Sequence, residues 1–361
     1  MITKALQKSL LSVPHLVESY QHLGSLVYLA ESLPLQLIHR VVKGTPLDKP
    51  PKGYLEKAVR EVGRLFEEDA DRMRRGDYPL SVLQTPQPRS HFSRLAKLYW
   101  DSVKISWRRR NKKSKEFSKQ AKQFFDDVPE YYQRNFHHQT DGYLSAESAE
   151  LYDHQVDILF RGTASAMRRM ILWGLRDHAQ FEGEGEGLKI LELACGNGSA
   201  TIDLTKTFPK AKTVSLDLSA PYLSAAKSNL KHHPRVSFVQ SDAADTDFKD
   251  ETFDAVVSVF LFHELPIEVR EKVLKESLRL VKTGGYVGMV DSIQMDDVPE
   301  LNFGLEVFPR EFHEPFFKNY VNHSMEDLFQ GAGLRDIKSR TGFVSKLIGS
   351  KKPEQERHPE S

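Results

Sequence analysis

Residues 145–348 carry the pattern of a doubly wound α/β sheet, and residues 1–88 that of a helical extension in front of it. Three observations lead to this fold class. The run Leu188-Lys-Ile-Leu-Glu-Leu-Ala-Cys-Gly-Asn-Gly-Ser-Ala-Thr-Ile-Asp-Leu204 opens with apolar residues, turns at Gly196 and Gly198, and continues with Ala200, Ile202 and Leu204 at helical spacing. That is a buried parallel strand, a tight turn and a helix start. From there to Val290, short apolar runs alternate with helical patterns, an order that places ligands at the carboxyl ends of the strands. Before residue 88 no strand-like alternation occurs at all.

In the extension, Leu16, Tyr20, Leu23 and Val27 recur at helical spacing and Pro34 interrupts them. Gly44 to Gly53 is rich in helix-breaking residues and reads as a loop. Tyr54 to Arg75 is a second amphipathic helix with Val59, Val62, Leu65 and Phe66 on one face, ended by Gly76-Asp-Tyr-Pro79. A third helix places Leu95, Tyr99, Val103 and Trp107 four residues apart, ahead of Arg108-Arg-Arg110. From Asp126 the chain is richer in aromatic residues and histidine (Tyr131, Tyr132, Phe136, His137, His138, Tyr143), and the paired histidines read as surface residues. Ser145 is the expected N-cap of a helix with Glu147 and Glu150 in its first turn. Beyond the first strand, further strands are expected at 213–217, 236–240, 253–260 and 286–290, with helices at 220–230 and 267–281. A long irregular insertion follows Asp291, then a helix capped by Ser324 and final strands between Leu334 and Leu347. Four regions result: a helical region (1–88), a basic and aromatic connecting region (89–144), the α/β domain (145–348) and a disordered tail (349–361).

Composition narrows the function classes. One cysteine, Cys195, excludes a disulfide framework and fits a reducing compartment. No apolar run approaches the ~18 residues of a membrane span, and the amino terminus lacks a signal-peptide pattern, so a cytoplasmic enzyme is expected. The net charge of +1 hides an asymmetry: residues 89–122 hold twelve basic side chains against Asp101 and Glu116. This +10 segment points to an anionic partner; its amphipathic helix is expected to pack its apolar stripe on the protein and solvate its charges, the alternative being an anionic membrane surface. Nucleic acid is not favoured, since no recognised binding module accompanies the charge.

The ligand can be narrowed further. A dinucleotide fingerprint starting at Gly196 would need glycine at Thr201. Asp217, ending the second strand, suits either ligand, and three further features separate them: Glu192 before the turn, Ser241-Asp-Ala243 after the third strand and Leu280-Val-Lys-Thr-Gly-Gly285 before the fifth. With these residues the chain resembles the class I S-adenosylmethionine-dependent methyltransferases over about residues 145–348. Glu192-Leu-Ala-Cys-Gly-Asn-Gly198 is similar to their acidic, glycine-rich first motif, with Ala194 in place of its first glycine. The resemblance implies a Rossmann-like methyltransferase fold with S-adenosylmethionine as cofactor. It implies that Glu192, Ala194, Gly196, Asn197 and Gly198 form the donor turn, with Asp217 and Leu218 at the ribose. Asp242 and Ala243 would meet the adenine, and Val259 and Tyr152 would complete the pocket, with Tyr143 also within reach. The segment Val259 to Pro266 looks like that of quinone-biosynthesis C-methyltransferases.

The absence of a base-clamping Asp/Asn-Pro-Pro-aromatic motif after the fourth strand favours a small, hydrophobic acceptor such as a quinone, lipid or aromatic metabolite. His263 and Glu264 follow that strand, and Asp291 ends the fifth, so all three are candidates for handling an acceptor proton. His313, in the aromatic stretch 308–320, is a fourth. Cys195 reads as a small filler. No metal-ligand spacing appears. The competing readings are a membrane- or protein-binding module that keeps the pocket without turnover, and an NAD(P)-dependent oxidoreductase.

Overall fold

The computed structural model describes the backbone of residues 2–43, 48–83 and 88–354. The expectations for Gly44–Leu47 and for the last seven residues, and those on side chains before Pro14, lie outside the described part. The amino-terminal part comprises α1 (Ile2–Lys43), α2 (Tyr54–Arg75), α3 (Pro88–Arg110) and the short α4 (Lys119–Lys122). Then come α5 (Ala146–Leu159), α6 (Ala164–Trp173), β1 (Lys189–Leu193), α7 (Ser199–Thr207), β2 (Lys212–Asp217), α8 (Ala220–Asn229) and β3 (Val236–Gln240). The chain continues with β4 (Phe253–Val259), α9 (Ile267–Leu280), β5 (Val281–Ser292), α10 (Asn302–Glu311), α11 (Phe317–Val321), α12 (Met325–Ala332), β6 (Lys338–Gly342) and β7 (Ser345–Lys351).

The strands form one sheet in the order β3-β2-β1-β4-β5-β7-β6. The first five are parallel, and β7 enters antiparallel to β5, pairing Val290 with Leu347 and Tyr286 with Lys351. The order reverses between β1 and β4, which both leave the sheet at the same edge; such a switch point opens a crevice for a ligand. Apolar side chains fill both faces. Leu191, Leu193, Val256 and Met289 face α9 to α12, while Ile190, Ala255, Val257 and Val290 face α6, α7 and α2.

Several expectations change in the structure. α1 runs through Pro14 and Pro34 without a break at the proline. The stretch after Asp291 is not irregular: α10 and α11 occupy it, and Phe317 and Tyr320 are buried against the sheet. β7 extends through Gly349 to Lys351, so any tail starts beyond it, because the strand needs those residues to pair with β5. The third helix turns a different face inward from the expected stripe. Leu98, Asp101 and Arg108 are buried, whereas Val103 and Trp107 are exposed. Polar groups win the inner side because they find partners there: Arg108 donates to the His138 carbonyl (2.7 Å) and to Thr140 Oγ1 (2.8 Å).

The helical extension is not a separate bundle. Leu65, Phe66 and Ala70 of α2 share one core with Met167, Met170 and Trp173 of α6. At its centre the fully buried carboxylate of Asp69 takes both arms of Arg169 (2.9 and 2.5 Å), the Tyr78 hydroxyl (2.6 Å) and the Gln21 amide (2.7 Å). Three helices distant in sequence, α1, α2 and α6, therefore meet at one acid. Removing one partner of such a pair leaves a buried charge uncompensated. Asp69→Asn is expected to lower unfolding free energy by about 3–5 kcal/mol, measured by urea denaturation; a change under about 1 kcal/mol would show that the extension docks by other means.

Candidate active site

The β1 turn is built from backbone geometry that few residues tolerate. Ala194, Gly196 and Gly198 all have positive φ, at 54°, 56° and 88°. This curls the chain so that the Gly196 N–H reaches Asp217 Oδ2 (2.7 Å), while Oδ1 of the same acid accepts from Ser219 N–H (2.8 Å). Gly198 does not border the cavity. A side chain there would stand 2.6 Å from Leu230 Cδ1, so its glycine lets α7 pack on α8. Glu192, buried, accepts hydrogen bonds from Thr201 Oγ1 (2.5 Å) and Ser215 Oγ (3.5 Å). Thr201, where a dinucleotide turn would have glycine, thus orients the acid at the end of β1.

The turn opens onto a cleft of about 1050 Å³, open solvent at its mouth included. Glu192, Ala194, Gly196, Asn197, Asp217, Leu218, Asp242, Ala243, Val259 and Tyr152 all line it. Burial raises the Glu192 carboxyl to about 8 and the Asp217 carboxyl to about 6, against their hydrogen bonds, which favour the anions. An acid-rich, desolvated cavity of this kind suits a ligand that carries positive charge.

Two charged lining residues went unremarked in the sequence. Asp153 of α5 receives Asn197 Nδ2 (2.9 Å) and Ser199 Oγ (2.5 Å), closing the turn from above. Arg168 of α6 stands 3.7 Å from Asp153 and, among the described residues, is the only basic side chain in the lining. Neither lies in a motif; only the fold brings them over the turn.

A roof comes from residues 111–145, a run of short turns carrying Tyr131, Tyr132, Phe136 and Tyr143 into the cavity. His137, His138 and Asp141 there have φ of 54°, 56° and 63°, a conformation that surrounding contacts must enforce. Asn135 and Gln139 supply several of them: Asn135 receives Glu116 N–H (2.7 Å), and Gln139 Nε2 donates to the Gly142 carbonyl (2.8 Å). The paired histidines are therefore not surface residues. His138 is buried beside Arg108 and Arg109, and His137 points into an acidic cluster.

That cluster closes the far end of the cavity. Tyr143 Oη donates a short hydrogen bond to Glu264, the only one of the four catalytic candidates that lines the cavity. His137 Nε2 is 3.1 Å from Tyr143 Oη, and Nδ1 lies 2.8 Å from the wholly buried Glu314 as a charge contact rather than an aligned hydrogen bond. His263 turns away: its Nδ1 faces Asp291 Oδ1 at 2.6 Å and its ring packs on Phe317 and Tyr320. Asp291 also accepts from the Phe262 and His263 backbone N–H groups (2.7 and 3.3 Å), so it holds the loop after β4 instead of facing the cavity. His313 is elsewhere, with its ring against His138. Burial alone would lower the His137 and His263 imidazoles, but the charges of Glu314 and Glu264 beside His137, and the charge and hydrogen bond of Asp291 at His263, hold them at about 10 and about 9. His263, Glu264 and Glu314 bring ligand-type atoms within 4.8 Å of one another, as do Glu31, His91 and His154; each group is closed by histidine–carboxylate contacts of its own.

A parallel sheet whose switch point gathers a glycine turn and acids from the ends of three successive strands is a nucleoside-binding α/β domain. A family model described as a methyltransferase domain matches residues 190–285. The chain is 30% identical over 178 residues to a demethylmenaquinone methyltransferase of Lactococcus lactis, covering 45% of this chain and 68% of that one. It is 35% identical over 116 residues to a probable phthiotriol/phenolphthiotriol dimycocerosates methyltransferase of Mycobacterium ulcerans, covering 32% and 43%. Among solved structures it is similar to a SAM-dependent methyltransferase from Aquifex aeolicus, with 20% identity, a TM-score of 0.38 and coverage of 51% and 88%. The chain belongs to the class I S-adenosylmethionine-dependent methyltransferases, and S-adenosylmethionine is its cofactor.

Ala194 occupies a left-handed conformation that glycine adopts without strain. Ala194→Gly is expected to raise unfolding free energy by up to about 1 kcal/mol, the strain relieved less the entropy glycine adds to the unfolded chain. Thermal unfolding checks this; a clear loss of stability would show that the methyl group's packing outweighs its backbone strain.

Proposed function

We propose that the protein methylates a lipophilic acceptor of the quinone or lipid class at an oxygen or carbon that must lose a proton. The observation that carries this reading is a single cavity. Its lining combines the glycine turn and Asp217 with Tyr131, Tyr132, Phe136, Leu261, Leu265 and Glu264. Two relatives named for apolar acceptors, demethylmenaquinone and phthiotriol dimycocerosates, support the class.

At the donor end, Asp217 accepts the ribose hydroxyls with its remaining lone pairs, and Asp242 and Ala243 meet the adenine edge. The Gly196–Asn197 backbone follows the chain to the methionine moiety. Arg168 pairs with its carboxylate, and Glu192, whose carboxyl burial raises to about 8, ionises as the donor's positive charge enters and then offsets it. Transfer of the methyl group leaves the donor as a thioether and removes the sulfonium charge, so the acidic lining favours substrate over spent product.

The donor's methyl group is already activated, and the residues mainly align and dehydrate. The acceptor's nucleophile forms a bond to the methyl carbon, the carbon–sulfur pair departs with sulfur, and the acceptor's proton passes to Glu264. His263 and His137 are unsuited as bases, because imidazoles held at about 9 and 10 are already protonated near neutral pH. Each lies against carboxylates, His263 beside Asp291 and His137 beside Glu314 and Glu264. Tyr143, whose hydroxyl burial pushes well above its ordinary range, stays a neutral donor that aims the Glu264 carboxylate.

Glu264→Gln is expected to lower kcat about 10²–10⁴-fold with donor affinity unchanged, read by methyl-transfer assay and calorimetry; full kcat would remove Glu264 as the base. Asp217→Ala is expected to weaken S-adenosylmethionine binding about 10–100-fold, the worth of one or two charge-assisted hydrogen bonds. Because the ionised carboxylate is the binding form and its pKa is about 6, wild-type donor affinity should fall as pH drops through 6. Asp217→Asn should lack that step. Equal affinity at pH 5 and 7 in the wild type would contradict the role given to Asp217.

A further inference from the structure

α1 and α3 turn apolar faces to solvent. On α1, Leu16, Leu23, Val27 and Leu37 are exposed, Leu23 by 62%. On α3, Phe92, Trp100, Val103 and Trp107 are exposed, Trp100 by 70%. The α3 residues fall four, four, three and four apart once Ala96 is counted, so they form one stripe, and the α1 set does likewise. The helices meet along a seam: Tyr99 Oη donates to the Glu31 carbonyl (3.3 Å), His91 faces the Glu31 carboxylate (2.6 Å), and Leu35 packs with Leu98. Val27 stands four residues before Glu31, and Val103 four after Tyr99. Both stripes thus begin beside the seam and run into one surface.

Exposed charge on these two helices has one sign. Among the described side chains, Glu18 and Glu31 of α1 and Asp101 of α3 are all half-buried or buried. The exposed charges are Arg40, Lys97, Lys104 and Arg110, followed by Lys112, Lys113 and Lys115; of these Lys97 pairs with Glu150 of α5 (2.7 Å), Lys113 with Glu116 (2.7 Å) and Lys115 with Glu130 (3.6 Å). Lys113 lies over the Trp107 ring at 4.6 Å, joining the basic end to the aromatic stripe. No helix among the described residues is long and apolar enough to cross a membrane.

We propose that this α1–α3 face docks on the surface of an anionic lipid bilayer, its stripe entering the headgroup boundary and its lysines and arginines meeting the lipid phosphates. An apolar stripe with tryptophans and a basic border, on helices that expose no acid, is the chemistry of an interfacial helix pair. A second copy of the chain fits poorly, since a symmetric contact would set one basic border against another. The inference does not depend on the identity of the acceptor, and a failure of either leaves the other standing.

The test is co-sedimentation of the full chain with phosphatidylcholine vesicles containing about one third phosphatidylglycerol, at low and high salt. Binding is expected at low salt, weakened by salt and absent on pure phosphatidylcholine. Trp100→Glu with Trp107→Glu should reduce binding about tenfold or more, and Lys104→Glu with Lys112→Glu should reduce it in a second, independent way. Calorimetry with S-adenosylmethionine should show unchanged donor affinity in both variants, confirming that they are folded. The proposal is overturned if the wild type stays in the supernatant, or if folded variants sediment as it does. It is equally overturned if sedimentation equilibrium shows a wild-type dimer that the tryptophan variant makes monomeric.

Discussion

Carboxylates buried at the carboxyl edge of the sheet are the constraint around which this domain is arranged. Glu192, Asp217, Asp291 and Glu314 are each nearly or wholly shielded from water, and an unpaired acid there would cost several kcal/mol. Each is therefore met by a specific group, and each meeting fixes a piece of chain. Asp217 curls the β1 turn, Asp291 sets the loop after β4, and Glu314 and Glu264 hold the roof through His137 and Tyr143. Neutralising these acids and shaping the cavity are one task.

The same logic attaches the amino-terminal helices. Asp69 draws Arg169, Tyr78 and Gln21 together, and Arg72 nearby spans from Glu68 to Asp177. Through these contacts α2 presses on α6, which in turn presents Arg168 to the cavity. The extension thereby backs one wall of the donor site. In sequence it is a bland helical region; in the fold it is a wall support.

The central sheet and the cavity lining at its strand ends were legible because their signals are local. Apolar runs such as Ile190-Leu191 and Ala255-Val-Val257 mark strands buried on both faces, and the acids Glu192, Asp217 and Asp242 sit at or just past strand ends. What was not legible arises from distant pairing. Asp153 and Arg168 gain their positions only when α5 and α6 cross the turn. His263, Asp291 and His313 share the residue types of a catalytic set, yet ring orientation turns the first away from the cavity, and the third is spent on packing against His138. The inward face of α3 was misread for the same reason. Periodicity ranks Val103 and Trp107 as core, but the roof offers Arg108 a carbonyl and a hydroxyl that an apolar side chain cannot use.

Trp107 and Arg108 are adjacent residues with opposite fates. One lies on the outer stripe of α3, and the other is bolted to the His138 carbonyl and Thr140 in the cavity roof. A helix turns about 100° per residue and does not stretch, so displacement of the outer ring is carried to the roof by a rigid lever one residue long. Any ligand that binds the outside differently in two roof positions must, by reciprocity, feel what occupies the inside. The far surface of α3 and the ceiling over Tyr143 thus hang on adjacent residues of one helix.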